Sequence, residues 1–318
     1  MKITVVGPGR WGSCITWYLN RIGHAVTLYG RSSSQAMRDY LQTGEGKYIK
    51  MPETVTLSTD LSCLSGAEVI VISVPSQSLR DFLRELKPFS VKNKIFVLCM
   101  KGIDVSSCKR LSEIAEEEIG GENKVAVWLG PGHVQEFYNG IPNCMVIDSS
   151  DRSVTEKLVN AFSGDLIRFY YGNDLIGNEI GAAAKNVIGI AAGMLDGMNL
   201  TTLKGALMSR GTREIARLIS AMGGNELSAY GLCHLGDYEA TVFSPFSHNR
   251  RFGEAFAKGE NFTELAEGYY TVKALVSLGE KHGVELPICK AVYGVLYENE
   301  PVSQAINELF TRTLKQEF

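Results

Sequence analysis

Lys185 is the only ionisable residue in the stretch Ile180–Gly193, whose other side chains are small or apolar apart from Asn186. A stretch of that kind reads as a buried helix. A lysine deprived of water loses part of its preference for the charged form and exchanges a proton near neutral pH, as reduction of a carbonyl requires. The alternative is a lysine whose amine snorkels to the surface along its own methylene stem. Further on, Gly236-Asp237 and Ser247-His248-Asn249-Arg250 put a carboxylate and a polar, partly cationic cluster in a glycine-punctuated segment that by itself reads as loop.

A second kind of chemistry is written at the start of the chain. Gly7-Pro8-Gly9-Arg10-Trp11-Gly12 fits the pattern G-x-G-x-x-G, directly after an apolar strand and directly before an amphipathic helix. In that context the first glycine permits a tight turn and the second lets backbone approach a pyrophosphate. The third lets the helix pack on the sheet, with the phosphates at the positive helix N-terminus. The next strand ends Leu28-Tyr29-Gly30-Arg31, with no local Asp or Glu for a ribose 2′-hydroxyl. Arg31, followed by Ser32, Ser33 and Ser34, suits the 2′-phosphate of NADP instead, which makes NADP the preferred cofactor with NAD still open. An exposed arginine at a strand end is the plain alternative. Lys101-Gly102 and Gly130-Pro131-Gly132 follow later apolar runs, at the sheet edge where α/β proteins bind ligands, although either fits ordinary turn chemistry. No G-x-S-x-G elbow, H-E-x-x-H helix or Walker A loop competes with a redox reading.

These residues need elements to hold them. Ile3–Val6, Ala25–Tyr29, Val69–Val74, Ile95–Leu98, Val125–Leu129 and Cys144–Ile147 are short Val- and Ile-rich runs, as buried parallel strands should be. Trp11, Ile15, Tyr18, Leu19 and Ile22 recur at helical spacing before Gly23, which completes one βαβ unit. After about residue 172 the pattern turns to long helices, Ile176–Asn199, Leu203–Met222 and Asn261–His282, with Val302–Lys315 as a C-terminal addition. The expected fold class is therefore α/β: a Rossmann-type doubly wound sheet over residues 1–172, then an all-α substrate domain over 173–318. The acidic run Glu116–Glu118 reads as a solvated helix face.

Bulk composition agrees. With 318 residues, 45% hydrophobic and 21% charged, the chain is long enough for two packed domains. Its net charge of −3 offers no field to hold nucleic acid or an anionic membrane. The first residues form a strand rather than a secretory signal, and no uncharged stretch is long enough for a membrane span, so a cytoplasmic protein without membrane insertion is expected. Seven scattered cysteines lack C-x-x-C or metal-ligand spacing, so no metal is expected.

Taken together, the residues resemble the NAD(P)-dependent glycerol-3-phosphate dehydrogenase family over nearly the whole chain. Gly7–Gly12 is similar to that family's G-x-G-x-W-G, Pro75–Arg80 to its P-S-Q-x-L-R, and Met100–Ile103 to its K-G-I. Ile176–Glu179 with Lys185-Asn186-Val187 resembles its I-G-x-E…K-N-V helix, Ser209–Gly211 its R-G turn and Leu235-Gly236-Asp237 its L-G-D. Glu267-Gly268 with Pro287-Ile288 resembles its closing E-G and P-I.

The resemblance implies Lys185 as proton donor to a carbonyl oxygen, Asp237 as its substrate-site partner, and Lys101 near both cofactor and substrate. It implies Gly7, Gly9, Arg10, Trp11, Gly12 and Arg31 around the dinucleotide, Glu267 at its nicotinamide end, and Ser247, His248 and Asn249 around a substrate phosphate, with Gly130 and Gly132 nearby. The implied reaction is reversible hydride transfer from NAD(P)H to dihydroxyacetone phosphate, giving sn-glycerol 3-phosphate for phospholipid synthesis; a homodimer stays open. Three positions depart from the pattern. Gly132 stands where a serine is usual, His248 where an arginine would grip phosphate bidentately, and Cys233-His234 where a smaller, less polar pair is usual. The departures sit at the substrate end. They keep two alternatives open: a related reductase of another small keto or phosphorylated keto compound, and a dinucleotide-binding protein without catalysis.

Overall fold

A computed structural model of the chain describes residues 1–89, 91–314 and 316. It divides into two compact units, residues 1–101 with 109–179 and residues 102–108 with 180–318. The division falls inside a helix a little beyond residue 172, and the short segment 102–108 goes with the second unit, for which the local pattern carries no signal.

In the first unit the strands are β1 (Lys2–Val6), β2 (Ala25–Tyr29), β3 (Thr56–Ser58), β4 (Val69–Ile72), β5 (Ile95–Leu98), β6 (Lys124–Leu129), β7 (Asn143–Asp148) and β8 (Ile167–Tyr171). Between them lie α1 (Arg10–Arg21), α2 (Gln35–Thr43), α3 (Leu79–Glu85), α4 (Leu111–Ile119), α5 (Val134–Tyr138) and α6 (Arg152–Phe162). They form one eight-stranded sheet in the order β3-β2-β1-β4-β5-β6-β7-β8. β1 pairs with both β2 and β4, so the connections reverse direction there, and ligands of such sheets bind outside the strand ends at that reversal.

Two strands, β3 and β8, were not expected. β3 is only three residues long, and β8 exposes Arg168, Tyr170 and Tyr171, so neither shows the continuous apolar run of a buried strand. The expectation of parallel strands throughout is also corrected, since β7 runs antiparallel to β6. Between them α5 spans five residues, about 8 Å of helix, against the roughly 20 Å that a six-residue strand requires the chain to retrace. The connection, residues 130–142, holds no helix long enough to cover the sheet as a crossover does, and the chain turns back. Trp128 anchors this half of the core, fully buried with its ring against Tyr18, Phe162 and Phe169.

In the acidic run Glu116 and Glu117 are exposed, as a solvated helix face requires, and only Glu118 departs from that expectation. Glu118 has a side chain only 7% exposed and is held by Arg80, Arg84 and Lys87 from α3 and the turn after it. The hydrogen bond from Lys87, with Arg80 and Arg84, pulls its carboxyl down to about 2. Two turns of sequence pattern cannot show a partner thirty residues away.

α7 (Leu175–Gly197) links the two units. The second unit continues with α8 (Lys204–Ala221), α9 (His248–Lys258), α10 (Glu267–His282), α11 (Pro287–Tyr297) and α12 (Val302–Thr311). Helices α9 and α11 are additions to the expected set, and α10 begins at Glu267 rather than Asn261. The C-terminal helix ends at Thr311, and Lys315 lies outside the described residues. α9 has its own start and stop signals, with Ser247 as N-cap and Gly259 as a left-handed C-cap. α11 starts on Pro287, and the buried Glu214 carboxylate of α8 accepts from the amides of Ile288 and Cys289 at 2.8 and 3.0 Å.

The small residues of α7 let backbones meet. A side chain at Gly193 would fall 1.9 Å from the Arg250 carbonyl oxygen, and one at Gly253 would fall 2.0 Å from that of Ile190. This close crossing of α7 and α9 brings residues 247–250 to the Lys185 turn.

Candidate functional site

In the first unit the residues of the glycine turn do what their spacing suggests. Gly7 follows β1 with φ +101, and any side chain there would strike the Ser73 carbonyl oxygen after β4 at 2.2 Å. Gly12 lies on α1, where an added carbon would stand 1.9 Å from the Gly7 carbonyl oxygen. By contrast, a side chain at Gly9 would meet nothing within 4 Å. Gly9 is also the N-cap of α1 and offers no side-chain acceptor to its first turn. Open space over uncapped helix amides, at the reversal of the sheet, is what a pyrophosphate requires. The geometry at Gly7, Gly9 and Gly12 is therefore one into which a dinucleotide pyrophosphate fits.

Lys101, beyond β5, reaches sideways to donate to the Gly130 carbonyl beyond β6 at 2.6 Å, and its amine lies 5.9 Å from the Trp11 ring centre. One end of the sheet thus gathers the glycine turn, Trp11, Lys101 and Gly130, which are distant in sequence. Gly132 has φ +140, and a side chain on it would stand 2.4 Å from the Phe137 ring. The backbone here has adopted a conformation that serine would rarely take. The loss of the hydroxyl is built into the turn.

Arg31 is not without an acidic neighbour. Glu85, at the end of α3, pairs with it at 2.6 Å, both side chains being exposed. The strand end itself contains no acid, so only the folded chain reveals this one. Ser34 accepts from the Met37 amide as the N-cap of α2.

In the second unit Lys185 and Asp237 meet. The Lys185 amine lies 2.8 Å from Asp237 Oδ2 and donates to Thr241 Oγ1 at 2.7 Å, with Lys185 7% and Asp237 1% exposed. The snorkelling alternative is thereby removed. Asp237 closes a 3₁₀ turn, Leu235–Asp237, and Thr241 sits on the π-helical turn Glu239–Phe243 that follows. Thr241 went unnoticed in the sequence, yet its spacing of four from Asp237 would place both on one face of a helical turn. The π turn is pinned from behind: Lys204 donates to the Val242 carbonyl at 3.1 Å and to Asp196 at 2.6 Å, while Arg250 also pairs with Asp196.

Asn249 belongs to the same cluster. Its amide nitrogen donates to Asn186 Oδ1 at 3.0 Å, and its oxygen accepts from the Gly268 amide at 2.9 Å, next to Glu267 at the start of α10. Ser247 is engaged as a helix cap, accepting from the Arg250 amide. His248 turns to the 260–266 segment, with Nε2 3.2 Å from Glu264 and Nδ1 3.3 Å from the Leu265 carbonyl oxygen. An apolar cavity of about 900 Å³ also opens among α7, α8, α11 and α12, lined by Met194, Leu207, Val292 and Leu309 among others. It includes neither Lys185 nor Asp237.

His234 is buried completely. Its Nδ1 lies 2.8 Å from the Gly181 carbonyl oxygen and its Nε2 2.7 Å from the Tyr238 hydroxyl. Burial, aided by the Lys185 charge, lowers the imidazole from 6.5 to about 4, so the ring is neutral at physiological pH. A neutral ring facing a carbonyl must donate from Nδ1, and Nε2 then accepts from Tyr238.

A glycine turn at the reversal of a doubly wound sheet, followed by a helical unit carrying a buried lysine–carboxylate pair, defines a nicotinamide-dinucleotide-dependent oxidoreductase class. Comparisons with known proteins narrow this. Residues 2–155 match the model of the N-terminal part of NAD-dependent glycerol-3-phosphate dehydrogenase, and residues 174–307 match that of its C-terminal part. A glycerol-3-phosphate dehydrogenase [NAD(P)+] of Thermoanaerobacter sp. is 36% identical over the whole of this chain and 99% of its own length. One from Moorella thermoacetica is 37% identical, covering 98% of this chain and 96% of its own. The crystal structure of glycerol-3-phosphate dehydrogenase from Coxiella burnetii superposes with a TM-score of 0.92 at 29% identity, covering 98% of this chain and 99% of that one. The chain belongs to the NAD(P)-dependent glycerol-3-phosphate dehydrogenase family, and it is an oxidoreductase that uses NAD or NADP. Among the described residues no helix is long and apolar enough to cross a membrane.

Proposed function

We propose that this chain catalyses reversible hydride exchange between NAD(P)H and dihydroxyacetone phosphate, giving sn-glycerol 3-phosphate for phospholipid synthesis, in the cytoplasm. The observation that carries the reading is the buried Lys185 amine, 2.8 Å from Asp237 and 2.7 Å from Thr241, in a chain of this family. When bound, the reduced nicotinamide supplies the hydride. Lys185 supplies the proton to the ketone oxygen, and the adjacent carboxylate favours the ammonium, the form that can donate it. Donation leaves a neutral amine beside an uncompensated buried carboxylate, so Asp237 drives reprotonation from water before the next turnover. Thr241 fixes the amine's direction, and Asn249 ties Asn186 on α7 to the start of α10, where Glu267 stands. Within the first unit, Lys101 meets Trp11 and Gly130 at the sheet end that carries the glycine turn. NADP is the preferred cofactor because Arg31 can exchange its exposed partner Glu85 for a 2′-phosphate.

NADPH oxidation on addition of dihydroxyacetone phosphate tests the reading directly. A second reading, reduction of another small keto or phosphorylated keto compound, is favoured by His248 and Gly132. The His248 ring is engaged by Glu264 and Leu265, and the Gly132 turn excludes a side chain. His248→Arg discriminates between the two. If position 248 holds the substrate phosphate, a permanent bidentate donor lowers KM for dihydroxyacetone phosphate and leaves kcat little changed. An unaltered KM, together with faster reduction of an unphosphorylated ketone by the wild type, establishes the second reading.

A further inference from the structure

We infer that His234 is a positioning residue that sets the register between Lys185 and Asp237, through one ring nitrogen and its own backbone carbonyl. The inference rests on the proposed role of Lys185 as proton donor. Lys185 and Asp237 lie on separate elements, α7 and the 3₁₀ turn Leu235–Asp237, so something must fix the distance between those elements. His234 touches both at the relevant atoms. Its Nδ1 donates to the Gly181 carbonyl at 2.8 Å, and Gly181 is four residues before Lys185 on α7. In helical geometry that carbonyl is also the acceptor for the Lys185 amide. At the other end, the His234 carbonyl accepts from the Asp237 amide at 3.0 Å. One residue therefore holds the backbone turn beneath each partner of the ion pair.

Three further observations support the assignment. The ring is fully buried, so water does not compete for its bonds. Its second nitrogen accepts from Tyr238 at 2.7 Å, which fixes the tautomer that places the proton on Nδ1. The approach is also tight: a side chain on Gly181 would stand 3.0 Å from His234 Cβ, so α7 and the turn meet across this contact without room to slide. In the related family a smaller, less polar pair is usual where this chain has Cys233-His234. Here the imidazole adds a hydrogen bond across that contact.

The test compares variants that keep or lose the Nδ1 donor. His234→Phe keeps the ring volume and loses both bonds. His234→Asn puts an amide donor at the Nδ1 position, and His234→Gln puts one at the Nε2 position. For His234→Phe, kcat with NADPH and dihydroxyacetone phosphate is expected to fall about 10- to 100-fold with the KM for NADPH unchanged, the scale expected when a reacting group is misplaced by about 1 Å. His234→Asn should stay near wild type and His234→Gln should resemble His234→Phe. A second readout involves no substrate. In protein carrying isotope-labelled lysine, the Lys185 amine resonance, assigned by its loss in Lys185→Met, should move in His234→Phe and His234→Gln and return in His234→Asn. A folded His234→Phe with wild-type kcat and resonance overturns the inference. If that variant does not fold, equal kcat and equal resonances for the Asn and Gln variants overturn it instead. Should the wild type not reduce dihydroxyacetone phosphate, the substrate reading fails, while the resonance comparison still decides the role of His234.

Discussion

A buried amine beside a buried carboxylate is costly unless each satisfies the other, and Lys185 with Asp237 meets that condition at 2.8 Å. Lys185→Met removes the proton and retains much of the volume. It is expected to lower kcat by about 10²-fold or more while NADPH binding, measured by calorimetry, stays near wild type. Normal turnover would reduce Lys185 to a structural role. Arg31 poses a different problem, because the expected phosphate ligand is already paired with Glu85. An exposed pair of this kind contributes little to stability, so exchange for a 2′-phosphate costs little. Arg31→Ala should therefore weaken NADPH more than NADH, and Glu85→Gln should tighten NADPH. Equal losses for both cofactors in the first variant would remove the basis for NADP preference.

Among the elements, the turn between β6 and α5 shows how backbone conformation limits chemistry. Gly132, with φ +140 and the Phe137 ring 2.4 Å from where its side chain would begin, leaves no place for the serine usual in related chains. Gly132→Ser is expected to destabilise the fold by about 1–3 kcal/mol, the cost of holding a non-glycine residue in such a conformation, with no gain in kcat/KM. Denaturant midpoints check the first part and steady-state kinetics the second; a stable and faster enzyme would show that the loop relaxes. The α7–α9 crossing follows the same logic with opposite purpose. There Gly193 and Gly253 admit backbone rather than exclude a side chain, and Asn249 arrives beside Asn186 as a result.

Over the whole molecule, buried ionisable groups give stability a pH dependence that net charge does not show. His234 titrates near 4 when folded and near 6.5 when its water is restored. Between those values the unfolded chain carries a proton that the folded chain does not, so stability rises with pH across this window. The contribution is complete above about pH 6.5 and is lost as pH falls towards 4, to an extent of about 3 kcal/mol. Glu179 and Glu214, both raised by burial, act in the opposite sense. They remain in every His234 variant, so the comparison with His234→Asn isolates the histidine. Denaturant titrations at pH 5 and pH 7 should show wild type losing more stability on acidification than His234→Asn, and parallel losses would contradict the assignment.

Local order along the chain was enough to identify the glycine turn, most of the sheet, the long helices and the isolated lysine. Those features depend on periodicity and on backbone requirements that a few adjacent residues express. Strands β3 and β8 escaped because one is very short and the other is half exposed. The reversal of β7 escaped because its connection carries only a five-residue helix, which local pattern does not distinguish from a crossover. At the site, Lys185 could be singled out by its isolation, while Asp237 read by itself as a loop carboxylate and gained its role only through family resemblance. That the two form an ion pair, that Thr241 joins them and that His234 braces both was decided by tertiary packing. So were the pairing of Arg31 with Glu85 and the engagement of His248 by Glu264. Apart from the local His234–Asp237 bond, these contacts join residues 16 to 56 positions apart, as with His248 to Glu264 and Lys185 to Thr241. A sequence shows which groups can bond, whereas the fold sets which of them come within 3 Å, because hydrogen bonds and ion pairs decay over distances far shorter than a loop.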